Sequence, residues 1–215
     1  MLELGIKTLL SYLIGSLNGS LVLGKLLGGP DVRSVGSGNA GGTNALRARG
    51  KWFALGVVII DVGKGFLAAA LVPGMTLPGV AHDPSLSATW LALACAGAAV
   101  VGHCYPLWFG FVGGKGGATT VGVLLALSPV VLLPGVATWL LVVATTGFVG
   151  LATMLAAAVM PAFVALTSLS GHMELFVFLL FLALFIVYTH RENVARMLRR
   201  EENRMAGLMI LRRPH

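Results

Sequence analysis

Charge is what this chain has least of. Only 11% of its 215 residues are Asp, Glu, Lys or Arg, whereas 57% are hydrophobic and the mean hydropathy is +0.90. Soluble domains carry roughly a quarter charged residues, so a soluble globular protein is excluded. No formal charge falls anywhere between Gly116 and Gly171. One bilayer crossing takes about 20 apolar residues, so that run must hold several. Cysteine is nearly absent as well. Cys95 and Cys104 stand isolated in apolar surroundings, which rules out a disulfide framework or a cysteine zinc site. The histidines and acids show no HExxH or other close ligand spacing, so no metal and no cofactor is expected. No cleavable signal is expected either, because Glu3 and Lys7 precede a long apolar segment without a clear small-residue cleavage site.

What remains reads as an all-α integral membrane protein, one polytopic domain over residues 1–215 with a basic tail from about His190. The first span covers about Leu4 to Leu27, where Gly15 and Gly19 form a GxxxG packing pair and Asn18 is a polar intruder. The loop that follows holds Arg33, Arg47, Arg49 and Lys51 against Asp31 alone, which assigns it to the cytoplasm and the amino terminus to the outside. A second span, about Trp52 to Leu71, carries Asp61 and Lys64 at a spacing that lets them pair on one helix face. The third runs from about Leu86 to Gly102. Between Ala118 and His190, Lys115 before and seven arginines after place both ends in the cytoplasm, so the number of crossings is even. Four short spans fit, with breaks near Ser128 to Pro134, Thr145 to Gly150 and Ser168 to Glu174. The expectation is therefore a bundle of seven transmembrane helices with the carboxyl terminus cytoplasmic, five being the alternative. The net charge of +7 lies beside these spans and speaks for anionic headgroups, with membrane lipids and not nucleic acid as partners.

Three polar clusters fall on the cytoplasmic side: Gly36 to Arg47, Gly113 to Thr119, and His190 to Asn193. The first strings glycines together with Ser37, Asn39, Thr43, Asn44 and Arg47, and the second surrounds Lys115 with glycine. Glycines let successive N–H groups converge on an anion, and helix starts near Thr43 and Thr119 would add free N–H groups and the positive end of a dipole. A phosphate-bearing substrate follows. Familiar alternatives fail. The GxGxxG match at Gly36 to Gly41 has no preceding strand, and Gly116 stands where a P-loop needs Ser or Thr. His103 and Cys104 are adjacent and point about 100° apart on a helix, which is poor geometry for a nucleophile and its base. The pairing of His with an Asp five residues later, used by acyl-CoA-dependent glycerolipid acyltransferases, is also absent, since position 108 is Trp108.

Four ordered motifs cover nearly the whole chain: Gly-Ser-Gly-Asn-x-Gly-x-Thr-Asn at 36–44, Asp61-x-x-Lys64-Gly65, Gly102-His103-x-x-Pro106 leading to Gly113-Gly114-Lys115-Gly116, and His190-Arg191-x-Asn193. Together they resemble the bacterial acyl-phosphate:glycerol-3-phosphate acyltransferase family. The resemblance implies an inner-membrane enzyme, a monomer with its active site facing the cytoplasm. It would transfer a fatty acyl group from acyl-phosphate to glycerol 3-phosphate, giving lysophosphatidic acid and inorganic phosphate without an acyl-enzyme. It also implies that Ser37, Asn39, Thr43, Arg47, Lys115, His190 and Asn193 bind substrate, with Arg47, Lys115 and His190 catalytic and Asp61, Lys64 and His103 supporting. One stretch departs from the family. Where members usually show Arg-Tyr-x-Ser, this chain reads Gly147-Phe148-Val149-Gly150, leaving Thr145, Thr146 or Thr153 to compensate, or a weaker grip on phosphate. The competing readings are a transporter of a phosphorylated solute and a catalytically impaired homologue.

Overall fold

The computed structural model describes residues 1–210, and every regular element among them is helical. The chain divides into two compact units, one ending at Ser128 and the other beginning at Pro129. The first contains α1 (Leu2–Gly15), α2 (Gly19–Leu27), α3 (Gly42–Ala70), α4 (Ala88–Cys104) and α5 (Gly117–Leu127). The second contains α6 (Pro129–Thr146), α7 (Val149–Thr167), α8 (Met173–Thr189) and α9 (Arg191–Leu198).

All seven expected segments are helical, and later breaks fall at Ser128, at Gly147 and Phe148, and between Thr167 and Met173, within the expected ranges, although Pro134 lies inside α6 instead of ending a helix. Length separates them, however. Four helices are long and apolar enough to cross a membrane, or up to six if each bent pair, α1 with α2 and α8 with α9, is one span. α5 has 11 residues and rises only about 16 Å, roughly half the thickness of a hydrocarbon core.

The first span is broken, with α1 and α2 meeting at 50°. Asn18 sits at the break. Its backbone is extended (ψ 121°), its side-chain oxygen caps α2 by accepting from Leu21 N, and its amide nitrogen donates to Ala40 O at 3.1 Å. Asn18 is thus a buried structural residue. Gly15 and Gly19 consequently do not share one helix face as a GxxxG pair would. A Cβ on Gly15 would run into the Ala99 backbone of α4, and one on Gly19 would come 2.8 Å from Val57 O of α3. Each glycine serves a different neighbour.

α3 begins ten residues before the expected span and kinks at Gly50 (φ 80°). Its first two turns therefore belong to the polar loop, while the rest packs against α5. That packing is close because Gly65 lies under Thr119 O and Gly122 under Val62 O, positions where a Cβ would collide with backbone. At the far end of α1, Glu3 and Lys7 form a buried ion pair at 2.7 Å. Lys7 also donates to Pro73 O and Glu3 accepts from Asp83 N, which pins the 72–87 connection to the start of the chain. Asp83 accepts from the Met1 amino group at 2.8 Å, and that bond, with Ser85 beside it, pulls its pKa down to about 2.

Candidate phosphate-binding loops and the carboxyl-terminal motif

The first glycine-rich loop is held at three buried apolar points, Val32, Ala40 and Ala45, which join Leu21, Phe53, Ala54 and Val57 in one core. Between these points the chain turns through Gly36 (φ 61°) and Gly38 (φ 71°), conformations that side-chain-bearing residues rarely adopt. Asn44, only 1% exposed, sets the loop's shape. Its Oδ1 accepts from Ser37 N at 2.9 Å, and its Nδ2 donates to Val32 O and Val35 O at 2.8 and 2.9 Å. Gly36 leaves room for that oxygen, where any Cβ would strike it. Ser37 and Asn39 are thereby presented half-buried on a fixed turn. Thr43 and the exposed Arg47 follow on α3, four residues apart and so on one face.

The second loop leaves α4 at Cys104 and folds back on it. Gly113 N donates to Cys104 O and Gly114 N to His103 O, both at 3.1 Å. Lys115 is half-buried between two buried glycines, and Gly116 (φ 89°) turns the chain into α5. The two loops are bonded to each other. Arg33 Nη1 donates to Phe109 O at 3.0 Å and Val112 O at 2.9 Å, and Ala40 N donates to Gly113 O at 3.4 Å. Arg33 is steadied by a double-pronged pair with Asp31, whose carboxyl those hydrogen bonds hold below the usual carboxylate range. Neither α3 nor α5 has a side-chain cap, since Gly41 and Gly116 occupy the cap positions. Two helix starts without side-chain caps and two tied loops, one carrying Lys115 and the other leading into Arg47, are groups of the kind that suit an anion.

Asp61, Lys64 and His103 form a buried cluster behind the second loop. Lys64 Nζ lies 2.8 Å from Asp61 Oδ1, 3.1 Å from Leu17 O and 3.0 Å from His103 Nδ1. His103 Nδ1 also lies 3.3 Å from Asp61 Oδ1, so this one nitrogen faces both members of the ion pair. Nε2 of that ring is on the edge packed against Gly114, where a Cβ would collide with it. Asp61 Oδ1 also accepts from Gly19 N at 2.9 Å, tying α2 to the cluster. The expected pairing of Asp61 with Lys64 is present, and His103 links it to the residue before Lys115. Cys104 is buried beside it and shows no nucleophile geometry.

In the second unit the last helix does not run straight through the His190–Asn193 motif. It bends by 52° between α8 and α9. His190 sits at the break, where its Nδ1 bonds Ile186 O at 2.8 Å and its carbonyl accepts from Asn193 N at 2.8 Å. A neutral ring with Nδ1–H so engaged keeps its acceptor at Nε2. The departing stretch is also explained locally. Gly147 (φ 73°) lies beneath Met209 and Arg204, and Gly150 beneath Asn193, whose amide nitrogen would be 2.7 Å from a Cβ there. The hydroxyls of Thr145, Thr146 and Thr153 make bonds within α6 and α7. Thr145 and Thr146 donate to Leu141 O and Val142 O, and Thr153 donates to Val149 O while accepting from Trp139.

Asn44, Arg33 and Glu202 are organising residues that the pattern of the sequence did not single out for a role. Asn44 was visible as part of its motif. Arg33 read as one topogenic cation among four, and Glu202 drew no reading. The outermost arginines, Arg212 and Arg213, lie outside the described residues.

A family profile described as glycerol-3-phosphate acyltransferase matches residues 6–200. A glycerol-3-phosphate acyltransferase of Rhodospirillum rubrum is 42% identical over 206 residues, covering 96% of this chain and 93% of the relative. One from Chlorobium luteolum is 36% identical, covering 91% and 93%. Among solved structures, the glycerol 3-phosphate form of an integral membrane glycerol 3-phosphate acyltransferase superposes with a TM-score of 0.82 at 34% identity, covering 95% of this chain and 96% of that one. The lysophosphatidic acid form of the same kind of enzyme gives 0.78 at 33% identity, with 94% of each chain covered.

Proposed function

This chain belongs to the glycerol-3-phosphate acyltransferase family, and on that premise we propose that it acylates glycerol 3-phosphate with acyl-phosphate as donor, releasing lysophosphatidic acid and inorganic phosphate. The observation that carries the reading is the pair of tied glycine-rich loops with Lys115 between buried glycines and two uncapped helix starts. That arrangement suits phosphate.

Acyl-phosphate is a mixed anhydride, so its carbonyl is already activated. A glycerol 3-phosphate hydroxyl forms a bond to the carbonyl carbon, the carbon–oxygen bond to phosphate breaks, and the hydroxyl proton leaves with the phosphate or by way of His190. Positioning and charge stabilisation are the protein's tasks. Arg47 and Lys115 neutralise phosphate oxygens, while Ser37, Asn39, Thr43 and loop N–H groups orient the donor. His190 and Asn193 position the acceptor, an assignment supported by their motif. Asp61, Lys64 and His103 support the Lys115 loop from behind. No acyl-enzyme forms.

The chain acts as a monomer and one domain in the bacterial inner membrane. Seven crossings, with α5 as a short one, put the amino terminus outside and the glycine-rich loops in the cytoplasm, in keeping with Lys115 and the arginine-rich tail flanking an even number of helices. Purified protein in vesicles tests the activity. Phosphate release from acyl-phosphate that requires glycerol 3-phosphate is expected. Uptake of glycerol 3-phosphate without phosphate release would instead make the chain a transporter, and a trapped acyl thioester lost in C104A would overturn direct transfer.

A further inference from the structure

The segment after α9 folds back within its own unit and delivers a carboxylate to Asn193. Asn193 is 8% exposed and rests over Gly150, and its Nδ2 donates to Glu202 Oε1 at 2.7 Å. The other carboxylate oxygen accepts from Arg196 Nε, also at 2.7 Å, and the Glu202 side chain is 6% exposed. The segment is seated on the α6–α7 turn beyond this point. Met205 N donates to Gly147 O at 2.8 Å, Ile210 N donates to Ala144 O at 2.9 Å, and Arg204 lies 4.7 Å over the Phe148 ring. Gly147 and Gly150 are what make room for this arrangement.

The consequence is chemical. A carboxylate can only accept, so Asn193 must turn its nitrogen toward Glu202 and its carbonyl oxygen to the opposite edge. An Asn amide torsion is broad and roughly two-fold, and the Glu202 contact selects one of its two orientations. Arg196 offsets the buried negative charge and keeps the carboxylate in register. We propose that Glu202 is a positioning residue for the acylation, acting through Asn193 to fix the amide that engages glycerol 3-phosphate. This rests on the reading of Asn193 as a substrate-binding residue.

Full-length E202A, E202Q, N193A and the N193A/E202A double variant, reconstituted in vesicles, test it by KM and kcat for each substrate, with thermal unfolding in detergent. E202A should raise KM for glycerol 3-phosphate about 10-fold, with KM for acyl-phosphate and the unfolding temperature little changed. E202Q keeps an acceptor oxygen toward Asn193 and should restore most of the loss. E202A should add nothing in the N193A background. The proposal is overturned if E202A raises KM equally with and without Asn193, if both substrates' KM values rise together with lost thermal stability, or if N193A raises KM and E202A does not. Should N193A itself leave KM unchanged, the reading of Asn193 fails first, and that single variant shows it.

Discussion

Asn44 Oδ1 accepts the backbone amide of Ser37 at 2.9 Å, so a residue already inside α3 dictates the shape of the loop seven residues before it. The same side chain donates to Val32 O and Val35 O. N44A should therefore cost about 2 kcal/mol of stability, since one buried and two partly buried backbone groups lose their partner, and should lower activity at the loop. N44D should be no better. It keeps the acceptor for Ser37 but turns a second acceptor toward two carbonyl oxygens. Thermal unfolding and kcat/KM of the two variants check this, and an active, stable N44D would show that the donor half is dispensable.

Arg33 joins the loops, so its removal should uncouple them without touching a phosphate contact. R33M should lower kcat/KM about 10-fold or more for both substrates, as misplacement of a preorganised site does. The supporting Asp31 carboxyl has a pKa below its usual 3.8, chiefly through hydrogen bonds from Arg33. A depressed carboxylate contributes fully above its unfolded value and loses that contribution as pH falls below it. The clamp is accordingly complete throughout the range of about pH 5 to 8, and D31N should leave the shape of the pH–activity profile there unchanged. A new inflection in that window would contradict the assignment.

Lys115 is held between buried glycines in the second loop, whereas Arg199 is exposed and pairs with Glu201 at 2.7 Å. K115A should lose at least about 100-fold in kcat, the scale of a missing charge-stabilising group, while R199A stays near the parent. Exposed ion pairs of the Arg199 kind contribute at most about 1 kcal/mol. Equal, small losses in the two variants would refute the placement of Lys115 at the phosphates.

Gly150 lies where a Cβ would meet the Asn193 amide, so G150A should displace that side chain and raise KM for glycerol 3-phosphate. T145V and T153V should leave both KM values near the parent, because those hydroxyls are bonded to Leu141 O and Val149 O of their own helices. Steady-state kinetics on the three variants separates the cases. A T145V or T153V defect confined to one substrate would restore the threonines as binding groups.

Much of this protein was legible in composition and pattern. The shortage of charge determined a membrane protein, because ionised groups are costly in hydrocarbon, and uncharged runs broken by proline and glycine marked the helical segments from α5 to α8. Glycine-rich, hydroxyl-rich motifs beside lone cations pointed to a phosphate-bearing substrate, and the three-residue spacing of Asp61 and Lys64 determined their pairing, since helix geometry alone puts them together.

Tertiary structure decided the rest. Whether Asn18 lines a site or caps a helix depends on the 50° break between α1 and α2, which no local propensity encodes. Arg33 became a clamp because Phe109 and Val112, more than 70 residues away, present their carbonyl oxygens to it. Glu202 gained its place because the chain doubles back over Gly147, and Gly147 and Gly150 read as losses until the residues filling their space were seen. Periodicity and spacing report what a residue can do along its own helix, whereas hydrogen bonds between distant segments depend on where folding brings the partner.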